Sequence, residues 1–364
     1  MTTKYLDSKR ISGTTADRNG VSAVAGGWKE LGRTTLESTG DTIDVSSLAD
    51  KRYYMVLGNA INTGGVIDIN QRFGSTTIDT GNNYARRQSI NGGSDGASAP
   101  RSNIDSSIDG AVNHFMVSYI ANKSDKEKLV QSFYTEGNAT GAGSTPERSE
   151  TVGKWTNTSN PIDIMRLYNT QAGDYTTGSE CVVLGWDPSD THTTNFWEEL
   201  VDTSWSSGSS VETSAFATKK YLWYQGWFKT GGSMSGSYSA LQVGSGGTIS
   251  TSGYAERYSI NGATDGTDTN SANMYGLVGQ GNDGSGNELT FINGFIINNS
   301  ANEKLFITHS AGFNPTTGAG SAPNRTEGVG KWANTSSQIN KIKILSAAGS
   351  GDWVGGQLKV WGSN

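Results

Sequence analysis

The chain has 364 residues, a net charge of −6 and 49 glycines, with aromatic residues at 9% that include ten Trp. That length suits two domains. The aromatic content excludes a disordered chain, the acidic balance excludes a general nucleic-acid binder with a basic face, and a lone cysteine, Cys181, excludes an intrachain disulfide.

Residues 1–27, opening MTTKYLDSKRISGTTADRNG, lack the apolar run of a signal peptide. They are polar and carry Lys4, Lys9, Arg10 and Arg18. The segment reads as an N-terminal arm, ordered only by its neighbours and serving attachment. From Trp28 the pattern changes to short apolar, β-branched and aromatic runs separated by turn clusters, the signature of strands. In order these include WKEL at 28, KRYYMV at 51, YARRQSINGGSDG at 84, NHFMVSYIAN at 113, EKL at 127 and ECVVLGW at 180. The connector DPSDTHTTNF, 187–196, opens with Asp-Pro, a turn-starting pair.

After the connector the series begins again. WEEL at 197 answers WKEL, KKYLWY at 219 answers KRYYMV, YAERYSINGATDG answers the segment at 84, and EKL returns at 303. TGAGSTPERSETVGKWTNTS at 140–159 recurs as TGAGSAPNRTEGVGKWANTS at 317–336, with 15 of 20 positions identical. The offset between copies grows from 168 to 177 along the chain, as expected when loops diverge between matched strands. No run is long and apolar enough for a membrane span. The fold class read from this is all-β: two tandem antiparallel, jelly-roll-like β-sandwiches of about eight strands each, produced by internal duplication. The copies span 28–186 and 197–364.

The duplication also screens for chemistry. Arg148 and Glu150, like Arg325 and Glu327, stand two apart and share a strand face, which predicts equivalent charge-assisted pairs in both copies. Trp155 and Trp332 are expected to cap the two cores. His309 aligns with Phe133, His114 with Phe291 and Cys181 with Leu358, so packing is the expected role of all three. GSMSG at 232–236 lacks the strand-to-helix context of a nucleophile elbow. Glu198 with Glu199 and Asp187 with Asp190 are the obvious carboxylate clusters for glycoside hydrolysis, and they sit at or beside the connector, where a solvated face is the commoner role. Acidic loops at Asp265–Asp268 and in GNDGSGNE offer oxygen ligands for calcium but lack EF-hand spacing, so no cofactor is assigned. In YLWYQGWF both strand faces are apolar, which favours core packing; Trp227, after Gly226, is the aromatic residue left for a glycan.

The opening KYLDSKRISGTTADR, then GWKELGRTTL and the repeated KRYYMV, YARRQSINGGSDG and VGKWTNTS segments resemble tandem β-sandwich virion proteins of marine and environmental tailed phages, of tail-fibre or capsid-decoration type. The resemblance covers most of the chain and carries no catalytic residues. It implies a non-enzymatic structural subunit located in the virion. The implied partners are further copies of itself and a major capsid or tail protein, with no direct nucleic acid. A carbohydrate- or host-receptor-binding module that contacts host-surface glycans is the alternative, and a glycan-degrading enzyme the third reading.

Overall fold

The computed structural model describes residues 24–25, 27–62, 64–105, 108–192, 194–230, 239–278, 289–312, 319–320, 322–346 and 353–364. The cations Lys4, Lys9, Arg10 and Arg18 of the arm, the GSMSG segment and the GNDGSGNE loop lie outside them.

No helix occurs among the described residues. The first sandwich follows a short strand β1 (Val24–Ala25) and comprises β2 (Lys29–Thr35), β3 (Thr42–Val45), β4 (Tyr53–Ala60), β5 (Asn70–Ser75), β6 (Thr77–Ile78), β7 (Tyr84–Ile90), β8 (Gly96–Arg101), β9 (Ile104–Asp105), β10 (His114–Ala121), β11 (Lys128–Glu136), β12 (Glu147–Trp155), β13 (Ile164–Tyr168) and β14 (Glu180–Trp186). The connector carries β15 (Thr191–His192), which pairs with β1. The second sandwich comprises β16 (Glu198–Trp205), β17 (Ser210–Glu212), β18 (Tyr221–Thr230), β19 (Ser239–Ser245), β20 (Thr248–Ile249), β21 (Tyr254–Ile260), β22 (Gly266–Ser271), β23 (Leu289–Ile297), β24 (Lys304–Gly312), β25 (Asn324–Trp332), β26 (Lys341–Ser346) and β27 (Trp353–Ser363).

Each sandwich has a large eight-stranded antiparallel sheet and a small one. The large sheets run β2-β14-β4-β10-β11-β12-β7-β8 and β16-β27-β18-β23-β24-β25-β21-β22, one order written twice. The small sheets run β3-β13-β5-β6 and β17-β26-β19-β20, with β9 added to β5 in the first. The all-β tandem-sandwich fold expected from the sequence is therefore present, with more and shorter strands per copy than the apolar runs alone suggest. The short ones, such as β6 and β20, are too brief to show a period.

Irregularities are duplicated too. The ladder of β2 with β14 slips at Leu31, and that of β16 with β27 slips at Leu200, the leucines of WKEL and WEEL. The pairs β7–β8 and β21–β22 both slip at the alanine of the YA dipeptide. In both hairpins the turn begins with Asn-Gly at positive φ, Asn91 (48°) with Gly92 (70°) and Asn261 (55°) with Gly262 (72°), the geometry that the twist of the flanking strands favours.

Strand alternation gives each large sheet two apolar faces. The inner faces pack on the small sheets. Tyr54, Val56, Met116, Val130, Trp155 and Cys181 belong to the first core, and Leu222, Tyr224, Ile292, Phe306, Trp332 and Leu358 to the second. Tyr84 and Tyr254 reach across each core in the same way: each hydroxyl bonds both the N–H and the carbonyl of one residue of the small sheet, Phe73 and Val243 respectively. The outer faces meet each other. Met55, Leu57, Phe115, Val117, Val182 and Leu184 form one cluster with Tyr221, Phe295, Ile297, Leu305, Ile307, Val329 and Trp361, and Phe196 and Trp197 of the linker region join it. The molecule is a four-layer stack in which the two large sheets lie back to back.

Candidate functional site

Of the residues singled out by spacing, Arg148, Glu150 and Glu327 meet at this seam, whereas Trp155 and Trp332 belong to the inner cores. Trp155 and Trp332 are buried at matching places, each stacked on its tyrosine, Tyr84 and Tyr254. Arg148 and Arg325 each pair with the glutamate two residues on, both at 3.0 Å. There the equivalence ends. Arg148 is buried and also grips Asp265 of the second sandwich through two bonds of 3.1 and 2.8 Å, with Glu327 at 3.5 Å. Arg325 is exposed and, among the described residues, pairs with Glu327 alone. Burial works against the Arg148 charge, but Asp265 and the two glutamates outweigh it and push its pKa up. Burial would also raise Glu150, yet His309 and Arg148 hold it below the usual carboxylate range, while burial and the Glu150 charge raise Glu327. His309 meets its own counterpart here: its ring lies 4.4 Å from that of Phe133.

A second lock lies beside the first. The segment after β11 runs over the second sandwich, where Lys331 donates to the carbonyls of Gly137 (2.8 Å) and Ala139 (2.5 Å), and the Gly141 N–H donates to Glu303 at 2.5 Å. Arg257 donates to the Pro146 carbonyl at 2.9 Å, and the Asn270 N–H to that of Ala142 at 2.8 Å. In the first sandwich the counterparts Lys154 and Glu127 pair with each other at 2.9 Å, partly in solvent.

The same contrast shapes the apolar surface. Leu305 is 1% exposed and its counterpart Leu129 58%; Val329 is 3% exposed and Val152 49%. Leu129 and Val152, with Trp28, Tyr53, Tyr119 and Trp186, line an open groove of ≈ 760 Å³ on the outer face of the first large sheet. Tyr53 and Trp186 stack at 5.5 Å along its wall. At the opposite end of the second large sheet Trp227, Leu289, Phe291 and Val354 are exposed. Trp227 is thus free, as its place after Gly226 predicts, whereas Tyr221 and Trp223 belong to the seam.

The other candidates serve packing or pairing. His114 is buried, bonded to the Tyr134 hydroxyl at 2.6 Å, and burial lowers its pKa to about 3. Ladder register pairs His114 with Ala60 and Thr290 with Phe228, so Thr290 and not Phe291 is its counterpart; the longer loop of the second copy hides that one-residue step in the sequence. Cys181 pairs with Gly58 as Leu358 pairs with Gly226, and burial raises its thiol pKa. Glu198, Glu199, Asp187 and Asp190 are each met by a cation, Lys219, Lys359, Arg52 and Lys51. The Asp265 carboxylate proposed for calcium is taken by Arg148, and no cluster of three or more His, Cys, Asp or Glu able to hold a metal occurs among the described residues.

Sequence reading missed a pair of buried lysines. Lys128 and Lys304 point into matching carbonyl cages, donating to Asn157 (2.8 Å) and Asn334 (2.7 Å), and lie over Trp155 and Trp332. The repeated EKL was their signal.

No family model matches the chain, and no curated protein matches it. Among solved structures, mouse laminin alpha1 chain domains LG4-5 align over 92% of this chain and 89% of that one, at 11% identity and a TM-score of 0.20. OccK5 (OpdH) of Pseudomonas aeruginosa aligns over 88% and 97%, at 8% identity and a TM-score of 0.13.

Proposed function

We propose that the chain is a non-enzymatic structural protein of a virus particle, a subunit that assembles on the virion surface as a capsid decoration, turret or tail-fibre component. The observation that carries this reading is the open apolar groove on an otherwise locked body. The back-to-back sheets and the Arg148 and Lys331 locks join the two sandwiches, and an exposed apolar groove beside them is suited to docking. The sequence resemblance to tandem-sandwich virion proteins supports the same reading. Particles purified from a phage that encodes the chain should contain it in many copies, measured by quantitative mass spectrometry against the major capsid protein. Finding it only in the soluble lysate would overturn the proposal.

A second reading, recognition of host-surface glycans, is favoured by Trp227, an exposed indole beside the exposed ring of Phe291. Retention on a polysaccharide array that is lost in Trp227→Ala would support it.

A further inference from the structure

The two sandwiches meet like on like. β11 packs on β24 and β12 on β25, each strand on its own counterpart. Phe133 lies against its counterpart His309, and Arg148 reaches both Glu150 and that residue's counterpart Glu327. The facing strands run in opposite senses. The segment that leaves β11 lies over the start of β24, where the Gly137 carbonyl accepts from Lys331, the ladder partner of Leu305, and the Gly141 N–H donates to Glu303. The seam is therefore built like the two-fold contact of a homodimer, with its axis passing between Phe133 and His309.

A strict two-fold contact has two equal sides, and here one is closed and the other open. On the closed side the Phe115 ring lies 6.5 Å from that of Tyr221, and Arg148 holds Asp265. The counterparts of these four residues lie on the open side, toward the Lys128 end of β11 and the Gly312 end of β24, and stand apart. Phe291 and Tyr53 are exposed, Arg325 pairs with Glu327, and Asp95 pairs with Arg87. Nine large hydrophobic side chains are exposed among the described residues, and seven of them, all but Val66 and Ile90, line the two walls of this open side. The groove is the wall on the first sandwich. That concentration decides against scattered surface apolarity.

Such a contact has a second solution. The half-turn that exchanges the sandwiches carries the closed side onto the open one, so a tilt in the opposite sense makes the same pairs between counterparts. We propose that the second sandwich rocks about the Phe133–His309 pivot between these two tilts, and that in the second its own Trp227–Phe291 wall covers the groove, with Phe291 against Tyr53 and Arg325 on Asp95. The parts are kept on both sides. Glu127, Leu129 and Lys154 repeat Glu303, Leu305 and Lys331 by identity, and Arg87 repeats Arg257. What differs sets the balance. Gln225 and Asn293 stand where the closed side uses Leu57 and Val117, so the second tilt buries less apolar surface and is the less populated one. The Asn293 side-chain oxygen already accepts from Trp223 (2.7 Å) and Gln225 (3.0 Å), so covering this wall does not leave it unpaired. The rocking does not rest on the virion reading; it makes the groove which that reading uses open in one tilt and covered in the other.

The test uses the full chain with Leu129→Cys and Leu289→Cys, one exposed position on each wall. Their counterparts Leu305 and Asn113 line one crevice on the closed side, so the second tilt brings the pair together. Cys181 is buried and leaves the reading clear. A short bismaleimide should link the two cysteines within one chain, slowly in the otherwise unchanged protein. Adding Arg148→Ala opens the closed side and should speed the link roughly 10-fold or more, because weakening one state raises the population of the other. Lys331→Ala opens the same side through the second lock and should act likewise. Circular dichroism checks that each variant keeps its β spectrum, and if Arg148→Ala does not fold, Lys331→Ala decides. No link in any background, or one rate in all of them, would overturn the proposal. So would linkage between chains in a mixture of the two single-cysteine proteins, which would give the contact to a second copy. The result does not depend on whether the chain is found in particles, so its failure leaves the virion reading standing.

Discussion

Leu129 and Leu305 occupy the same place in the same fold, preceded by the same Glu-Lys, and one faces solvent while the other is sealed in an apolar seam. Val152 and Val329, Tyr53 and Tyr221, and Lys154 and Lys331 repeat the contrast. The strand, its register and its neighbours are common to both members of each pair. The difference is whether a second sandwich covers them. Burial on the outer face is thus a property of assembly, whereas burial on the inner face is a property of the sandwich itself. The comparison can be broken by substituting matched positions and asking whether the cost follows the cover or the fold.

The largest asymmetry is expected at the arginines. Arg148→Ala takes from buried Asp265 the cation that grips it through two bonds and leaves it Arg257 at 3.8 Å, a loss of about 3–5 kcal/mol by analogy with other broken buried pairs. Arg325→Ala removes an exposed partner and should cost about 0–1 kcal/mol. Urea denaturation of both variants measures the difference. Equal losses would mean that the seam adds nothing to what each sandwich holds by itself.

Next come the lysines. Lys331→Ala strands the carbonyls of Gly137 and Ala139 and weakens the hold on Glu303, for about 2–4 kcal/mol. Lys154→Ala, at an exposed pair, should stay within about 1 kcal/mol. Hydrogen exchange of the Gly141 N–H should accelerate in Lys331→Ala and remain unchanged in Lys154→Ala.

A third contrast is one of pH. Position 86 is arginine, salt-bridged to Asp105, and its counterpart is Glu256, fully buried and accepting the N–H groups of Tyr275 and Gly276. Burial, helped by Asp268, raises the Glu256 pKa to about 8. A raised carboxyl pKa means that the folded state holds the proton more tightly than the unfolded one. This contribution is fully present below the ordinary carboxylate pKa and is lost as pH rises toward about 8. Between the two limits the wild type should lose about 1–3 kcal/mol more than Glu256→Gln does. Parallel pH–stability curves for the two proteins would show that burial does not raise the Glu256 pKa.

Much of this architecture was legible in the sequence. The repeat of TGAGS…GKW announced two equivalent domains, the aromatic runs announced strands with two apolar faces, and the two-residue spacing of Arg148 and Glu150 placed them on one face. What could not be read was which outer faces would be covered. Arg148 meets Asp265 across 117 positions of sequence, and no local pattern encodes such a contact. Leu129 and Leu305 are the same residue in the same context, so propensity and periodicity cannot tell them apart. The groove is visible only after the copies are laid on each other and one is found bare.

The smallest expected effect sharpens the comparison most, because it isolates a single turn. NGGSDG and NGATDG form the same hairpin, and each carries an aspartate near an arginine of the preceding strand. In the first sandwich Asp95 lies 3.8 Å from Arg87, both well exposed. In the second, Asp265 lies 3.8 Å from Arg257 and is buried against Arg148. The local pair is the same length in both copies, so any difference between Asp95→Asn and Asp265→Asn reports the partner from the other sandwich. Solvent screens the exposed pair, and holding two long side chains together costs entropy that offsets its attraction. Asp95→Asn should therefore change stability by less than about 0.5 kcal/mol, and less still in high salt. A loss at Asp95 comparable with that at Asp265 would place the value of this aspartate in the hairpin itself and remove the seam from the explanation.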